Sequence, residues 1–150
     1  MAKSIDSIEK QRLALQAEID SRKTQAERNR LGQFATPTAL AVDILQYAAS
    51  LLPEGEKVRF LDPAIGIGSF YSALRKVLPK KRIGEALGFE IDPLYGEPAS
   101  ALWADSGLTI KLADFTREEP SPSFNLVICN PPYVRHHHLQ NGDKARLQFC

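Results

Sequence analysis

The sequence predicts an α/β fold with a mostly parallel sheet, and three observations support that prediction. Short apolar runs alternate with helical segments, and this alternation is typical of parallel sheets with right-handed crossovers. A loop with two glycines follows the first apolar run, and an acidic residue ends the second. In parallel sheets such loops lie at the carboxyl ends of the strands, where ligands bind. We expect about four strands, near residues 58–61, 86–90, 109–112 and 126–129.

The first thirty residues are predicted to form an amphipathic helix ahead of this sheet. Apolar side chains recur near helical spacing at Ile5, Ile8, Leu15 and Ile19. We expect this helix to pack on the domain or on another chain. The chain is therefore divided into a helical segment, residues 1–30, and an α/β portion, residues 31–150.

Residues 60–70 predict a strand, an acid, a glycine loop and the start of a helix, in that order. Gly66 and Gly68 permit positive φ and let the main chain approach a ligand closely. Ser69 is expected to cap the following helix, and Pro79 to end it. The first strand therefore ends in a predicted ligand site.

A second acid, Glu90, stands at the end of the second strand, where a carboxylate can bind ribose hydroxyls. This combination also occurs in dinucleotide-binding folds. However, Tyr71 is not the third glycine that the dinucleotide fingerprint needs, and the carboxylate of Asp62 would repel a pyrophosphate. A negative charge suits ammonium and sulfonium groups, so a positively charged cofactor is favoured over a nicotinamide or flavin dinucleotide.

The fourth apolar run leads directly into Asn130, Pro131, Pro132 and Tyr133. The Asn130 side-chain oxygen and the Pro131 carbonyl can each accept one hydrogen of an amine whose lone pair is delocalised into a ring. The two prolines fix the backbone and remove competing donors. Tyr133 offers a flat face for an extruded base. The alternative is an ordinary turn after a strand, with the tyrosine covering the core.

Together these segments resemble the class I S-adenosylmethionine-dependent methyltransferases that modify the N6 amine of adenine in DNA. The resemblance rests on residues 62–68, Glu90, residues 113–115 and residues 130–133. Residues 31–37 and a helix over 38–52 resemble the segment that precedes the glycine loop in the gamma arrangement of this family. The resemblance implies the class I Rossmann-like sheet, of which this chain would hold an incomplete part, preceded by N-terminal helices.

The resemblance also implies a role for each matching residue. Asp62 would hold the methionine ammonium, Glu90 the ribose hydroxyls, and Asp114 the exocyclic amine of the cofactor. The residues expected to line the cofactor beside them are Pro63, Ala64, Gly66, Gly68, Ile91 and Phe115. The residues expected to hold the target amine and stack on its base are Asn130, Pro131, Pro132 and Tyr133.

Thr36 is expected to cap the helix over residues 38–52, with Pro37 in its first turn. Free amides at that helix end would face the carboxylate of the cofactor. One departure from the family is Asn125, where an aspartate is usual, and we expect it to affect loop structure more than catalysis. The three histidines at 136–138 are a poor chelating set, because neighbouring side chains in an extended segment point apart. No metal is therefore expected.

The expected partner is double-stranded DNA. A net charge of +1 provides no general attraction to nucleic acid, so the contact must be local, and Arg135, Lys144 and Arg146 are candidates. No apolar window approaches a membrane span, and the polar start differs from a secretory signal. We therefore expect a cytoplasmic protein without a disulfide framework at Cys129 and Cys150.

The family's sheet has seven strands in the order 3-2-1-4-5-7-6, and this chain ends after the fourth. The resemblance therefore implies the N-terminal part of a restriction-modification methyltransferase, a fragment or split subunit that needs a complementing C-terminal half. Two alternatives remain open. The chain could belong to methyltransferases acting on a protein glutamine or an RNA base amine, or it could be a non-catalytic cofactor-binding or assembly module.

Overall fold

A computed structural model of the chain describes residues 4–31, 33–119 and 123–133. These residues form five α helices and four strands, with short 3-10 turns at Lys80–Arg82 and Phe115–Arg117. In chain order the elements are α1 Ile5–Ser21, α2 Gln25–Leu31, α3 Thr38–Leu51, β1 Val58–Asp62, α4 Ser69–Val77, β2 Ile83–Glu90, α5 Pro93–Trp103, β3 Leu108–Leu112 and β4 Leu126–Val127. Within the described ranges, no helix is both long and apolar enough to cross a membrane.

The sheet has the order β3-β2-β1-β4, and each neighbouring pair is parallel. Phe60 of β1 lies opposite Ala86 of β2 and Leu126 of β4. The predicted α/β fold and its parallel sheet are confirmed. Two strands differ from their expected bounds by more than one residue, since β2 begins earlier, at Ile83, and β4 is only two residues long. The amide of Ile128 still donates to the Leu61 carbonyl at 3.0 Å, so contact with β1 continues past the end of β4.

Aromatic packing beside the sheet explains why a tyrosine stands at position 71, where a dinucleotide fingerprint has its third glycine. Its ring contacts Phe60 and Trp103 at centroid distances of 5.7 Å and 5.1 Å. The Tyr71 hydroxyl donates to the Ser106 carbonyl at 2.9 Å. Because Tyr71 is fully buried in this core, it contributes packing energy and does not face a ligand.

Helix α1 packs on α4 and α5, and it contains both members of a buried ion pair. The guanidinium of Arg12, only 1% exposed, donates to the Glu9 carboxylate at 2.7 Å and 2.8 Å. Arg12 also donates to the Ser69 hydroxyl at 3.0 Å and to the Thr38 hydroxyl at 3.1 Å. Glu9 in turn accepts from Thr38 at 2.6 Å and from Ser72 at 2.5 Å. The pair therefore ties α1 to the N-termini of α3 and α4.

Two predicted helix caps are wrong for a related reason. Gly68 takes the N-cap position of α4 with φ 88°, so Ser69 is already inside the helix and its hydroxyl binds Arg12 instead. Pro37 takes the N-cap position of α3, and the hydroxyl of Thr36 accepts from Asn130 at 3.3 Å. Long-range partners have taken the hydroxyls that local capping would use. The predicted stop of α4 before Pro79 is confirmed, since the helix ends at Val77.

The ion pair makes stability depend on pH in the acid range. Burial alone would raise the pKa of Glu9, but hydrogen bonds from Arg12, Ser72 and Thr38 outweigh it and lower the pKa to about 2. A carboxyl with a depressed pKa in the folded state stabilises the fold at pH values above its ordinary pKa. This stabilisation is lost as the pH falls from about 4.5 towards 2.

Replacing Glu9 by glutamine should therefore destabilise the chain by about 3 kcal/mol at neutral pH, because the Arg12 charge stays buried without its partner. The measurement is urea unfolding, repeated at falling pH, where the difference from wild type should shrink. Glu18→Gln is the matched control, since Glu18 pairs with Arg22 on the surface and should cost less than about 1 kcal/mol. Equal losses in the two variants would contradict the role of the buried pair.

Candidate active site

The structure brings most of the predicted site residues together around a cleft of about 760 Å³ at the carboxyl ends of the four strands. All of the predicted residues except Gly68 and Tyr133 line it. Those that do are Thr36, Asp62, Pro63, Ala64, Gly66, Glu90, Ile91, Asp114, Phe115, Asn130, Pro131 and Pro132. The cleft is therefore one site shared by the loops that follow all four strands and by the segment before α3.

The two glycines of the loop after β1 have different roles. Gly66 has φ 54°, and a Cβ built there would meet nothing within 4 Å, because that position opens towards the cleft. Gly68 has φ 88°, and a Cβ there would lie 2.5 Å from Nε1 of Trp103. Gly68 is absent from the residues that line the cleft, and its expected backbone contact with a ligand stays a prediction. Its missing side chain makes room for the buried indole, which donates to the Ile67 carbonyl at 3.0 Å.

Two carboxyl groups line the cleft, that of the buried Asp62 and that of the partly buried Glu90. Asp62 is 1% exposed and accepts from the Ala64 amide at 3.0 Å. Burial raises the pKa of Asp62 to about 7; the Ala64 hydrogen bond opposes this rise, and the charge of Glu90 adds to it. Burial also raises the pKa of Glu90, although its carboxylate accepts from the amides of Asp92 at 2.8 Å and Gly66 at 3.0 Å. A cationic ligand would stabilise both ionised forms.

Apolar side chains beside these acids remain exposed. Ile91, Phe34 and Phe115 are 67%, 50% and 37% exposed, and all three line the cleft. The Phe115 ring rests against Phe89 at a centroid distance of 5.3 Å. Exposed large apolar side chains around a concave site are typical of a surface that a flat ligand covers.

Asp114 lies next to this apolar surface and is already engaged with its own loop. Its carboxylate accepts from the Thr116 amide at 3.0 Å and from the Thr116 hydroxyl at 2.7 Å. The Arg117 guanidinium approaches its other oxygen at 3.3 Å. Asp114 therefore fixes the turn that carries Phe115.

The side-chain amide of Asn130 has a defined orientation. Its nitrogen donates to the Phe34 carbonyl at 3.1 Å and to the Thr36 hydroxyl at 3.3 Å. These bonds use both amide hydrogens, and within the described part of the chain the side-chain oxygen has no hydrogen-bond partner. The oxygen that the sequence predicts as an acceptor is thus the atom left for a ligand. Tyr133 is 70% exposed and lies outside the lining, so the structure does not show the expected stacking face in the cleft.

Several residues that line the cleft were not predicted from the sequence. The principal ones are Gln16 from α1, Gln33 before α3, Tyr95 from α5 and Cys129 after β4. Gln33 stands within the segment that resembles the gamma arrangement, and that position was the available signal. The α1 and α5 residues gave none, since only folding brings those helices to the cleft. Burial, together with the charge of Asp62, raises the pKa of the Cys129 thiol.

Asn125 does not line the cleft and instead joins β4 to β1. Its side-chain oxygen accepts from the Arg59 amide at 2.7 Å, and its nitrogen donates to Glu56 and to the Lys57 carbonyl, each at 3.0 Å. This geometry agrees with the expected effect on loop structure. The predicted DNA contacts Arg135, Lys144 and Arg146, the histidines at 136–138 and Cys150 lie outside the described residues.

The described sheet and site define the Rossmann-like α/β fold of the class I methyltransferases. The chain is similar to the crystal structure of PH1948 from Pyrococcus horikoshii, a proposed RNA methyltransferase, with a TM-score of 0.58 and 20% sequence identity. The match covers 79% of this chain and 57% of that one. At this level of identity the likeness establishes the fold alone.

Three curated relatives are all named type II methyltransferases. M.CvrRI of Paramecium bursaria Chlorella virus XZ-6E is 35% identical over 137 residues, which cover 89% of this chain and 34% of the relative. M.AccI of Acinetobacter calcoaceticus and M.XamI of Xanthomonas campestris pv. amaranthicola are each 28% identical, over 76% and 77% of this chain. The chain spans about a third of the length of M.CvrRI and about a fifth of M.AccI. No protein-family model matches it.

Because Trp103 lies so close to Gly68, two glycine-to-alanine substitutions at nearly equal positive φ should lower the free energy of unfolding by different amounts. Gly107 has φ 89°, but a Cβ there would come no closer than 3.9 Å to another residue. Gly107→Ala should cost about 1 kcal/mol for the left-handed backbone, whereas Gly68→Ala should cost at least about 2 kcal/mol more because the indole must move. Urea unfolding followed by the fluorescence of Trp103, the only tryptophan in the chain, measures both. Equal losses would show that Gly68 does not make room for the indole.

Proposed function

We propose that this chain is the cofactor-binding part of a restriction-modification DNA methyltransferase that transfers a methyl group from S-adenosylmethionine to the N6 amine of a flipped adenine. The similarity to three type II methyltransferases supports the DNA methyltransferase class. The observation that carries the proposal is the Asn130 amide. Its nitrogen donates to Phe34 and Thr36, which leaves its side-chain oxygen as the acceptor, and Asn130 lines the same cleft as Asp62 and Glu90.

The cleft residues fit S-adenosylmethionine in charge and shape. Asp62 would hold the ammonium group, and Glu90 would accept the ribose hydroxyls in place of its present bond to the Gly66 amide. Ile91 and Phe115 would cover the adenine ring, and Asp114 would accept from its exocyclic amine. Pro63, Ala64 and Gly66 would follow the cofactor with their backbone, since the Gly66 position is open. Bound cofactor supplies an electrophilic methyl group.

The remaining residues would act on the target base. Asn130 Oδ1 and the Pro131 carbonyl would each accept a hydrogen bond from the amine. These two bonds would favour the pyramidal nitrogen needed for attack. Pro132 would hold the loop rigid, and Tyr133 would swing onto the face of the flipped base. Asn130 and Pro131 would thereby position the amine for direct transfer of the methyl group, without a covalent intermediate on the protein. The bond from the methyl group to sulfur would break as the bond to nitrogen forms, so that a neutral thioether would leave and the amine would lose one proton.

In this proposal residues 31–150 form the cofactor-binding portion, and residues 1–30 form a helical segment that supports it. Double-stranded DNA is the proposed substrate. The same acceptor pair would serve an RNA base or a glutamine amide, since those nitrogens have the same delocalised lone pair. The substrate test must therefore include all three.

The substrate class is tested by combining the chain with a complementing C-terminal half, adding methyl-labelled S-adenosylmethionine and, separately, DNA, RNA or a glutamine-containing peptide. We expect label in DNA, recovered as N6-methyladenine after digestion to nucleosides. Asn130→Ala should reduce transfer by at least about 100-fold, because an acceptor aimed at developing charge is lost. Label recovered from RNA, peptide or cytosine would overturn the adenine assignment.

Cofactor binding by Asn130→Ala separates its catalytic role from a structural one. We expect its affinity for S-adenosylmethionine, measured by calorimetry, to stay within about twofold of wild type, because Asn130 would contact the target amine and not the cofactor. An equal loss of binding and transfer would contradict the assigned role.

The raised pKa of Asp62 predicts a pH dependence of cofactor affinity. The ammonium group prefers the ionised carboxylate, and the pKa of Asp62 is about 7, so affinity should rise as the pH rises towards 7. Between about pH 5.5 and about pH 7 the dissociation constant should fall more than about fivefold. Asp62→Asn should bind more weakly at pH 7 and show a smaller dependence. A wild-type affinity that does not change over this range would rule out an ionised Asp62 as the ammonium ligand.

A further inference from the structure

A closed ring of three side chains stands at the edge of the cleft, where the N-terminal helices meet the sheet. The ammonium of Lys23 donates to the Gln33 side-chain oxygen at 2.7 Å and to the Asp92 carboxylate at 2.6 Å. The Gln33 side-chain nitrogen donates to the same Asp92 oxygen at 3.1 Å. Each member therefore bonds both others, although they come from three separate parts of the chain.

The surroundings of the ring make it strong. Lys23 and Asp92 have side-chain exposures of 13% and 22%, and the Lys23 ammonium also lies over the Tyr95 ring, 4.8 Å from its centroid. Burial opposes ionisation of Asp92, but hydrogen bonds from Lys23 and Gln33 outweigh it and lower its pKa. A partly buried, charge-assisted set of this kind is worth more than a surface ion pair.

The ring connects two parts of the candidate site, the residues at the end of β2 and the segment before α3. Asp92 follows Glu90 and Ile91 and caps α5 by accepting from the Leu94 amide at 3.0 Å. On the other side, Gln33 begins the segment 33–36, whose Phe34 carbonyl and Thr36 hydroxyl hold the Asn130 amide. Movement of that segment would free the Asn130 nitrogen and allow the amide to turn.

We propose that Lys23, Gln33 and Asp92 form a latch that holds segment 33–36 across the cleft, and that Lys23 is thereby a positioning residue for both the cofactor and the Asn130 amide. The part of this inference that concerns the cofactor rests on the proposed function. Lys23 does not itself line the cleft, so any effect of its replacement on binding must pass through the residues that it contacts, which are the other two members of the ring and Tyr95. The N-terminal helices thus help to preorganise the site.

Lys23→Met tests the latch, and Arg22→Met is the matched control. Arg22 is the neighbouring cation, and its side chain is 57% exposed in a surface pair with Glu18. Chymotryptic cleavage after Phe34, which is half exposed, reports opening of the segment without any cofactor. We expect Lys23→Met to be cleaved there about tenfold faster than wild type, and Arg22→Met to be cleaved at the wild-type rate.

Calorimetric titration with S-adenosylmethionine then measures the effect on the site. Lys23→Met should bind S-adenosylmethionine about tenfold more weakly than wild type. In part of the population, segment 33–36 would no longer lie in the position that binds the cofactor. Gln33→Ala should show the same faster cleavage, and the Lys23→Met, Gln33→Ala double variant should be cleaved no faster than either single variant. Urea unfolding midpoints close to wild type would exclude global destabilisation as the cause.

The outcomes separate the latch from the proposed function. If Lys23→Met is cleaved and binds like Arg22→Met, the latch is wrong. If the wild-type chain fails to bind S-adenosylmethionine, the proposed cofactor is wrong, and the cleavage rates alone still decide whether the latch exists. Additive effects in the double variant would also contradict it, since a single ring can be opened only once.

Discussion

Parallel pairing of β1 between β2 and β4 is the constraint on which the rest of the structure depends. Because all pairs run in the same direction, Asp62 at the end of β1, Glu90 at the end of β2 and Asn130 after β4 reach the same edge of the sheet. These residues lie far apart in sequence, and each follows or ends an apolar strand. Reversing any one strand would carry its polar residue to the opposite edge and remove the cleft.

Glu9 and Asp62 are both buried carboxyl groups, but their different hydrogen-bond partners and neighbouring charges shift their pKa values in opposite directions. Glu9 is surrounded by donors from Arg12, Thr38 and Ser72, and its pKa falls to about 2. Asp62 receives the Ala64 amide and the repulsion of Glu90, and its pKa rises to about 7. The first group is satisfied by the fold itself. The second would be stabilised by a positive charge from the proposed cofactor, and such dependence on a ligand is how a functional site differs from a structural ion pair.

Much of the fold and most of the cleft could be predicted from the sequence because their signals are local. An apolar run, a glycine loop and a strand-end acid each lie within a few residues, and strand order follows from the resemblance. The role of Gly68 was not predictable in this way, since Trp103 lies on another helix. The ring of Lys23 with Asp92 and the pair of Arg12 with Ser69 also join distant segments, so only folding reveals them. The same long-range hydrogen bonds explain why Ser69 and Thr36 do not act as caps.

The N-terminal helices emerge as part of the site and not as a separate appendage. Helix α1 holds the starts of α3 and α4 through Arg12, and Gln16 from the same helix reaches the cleft. The cleft is thus bounded on one side by the sheet and on the other by helices that precede it. The arrangement of its lining residues therefore includes contacts between these two parts of the chain.

Calorimetric titration of the folded chain with S-adenosylmethionine and, separately, with NAD is the decisive measurement for a cleft that we propose to bind a cationic adenosine cofactor. We expect saturable binding of S-adenosylmethionine at one site, no comparable binding of NAD, and loss of the signal in Asp62→Ala. Absence of binding by a folded chain, or equal binding by wild type and Asp62→Ala, would contradict it.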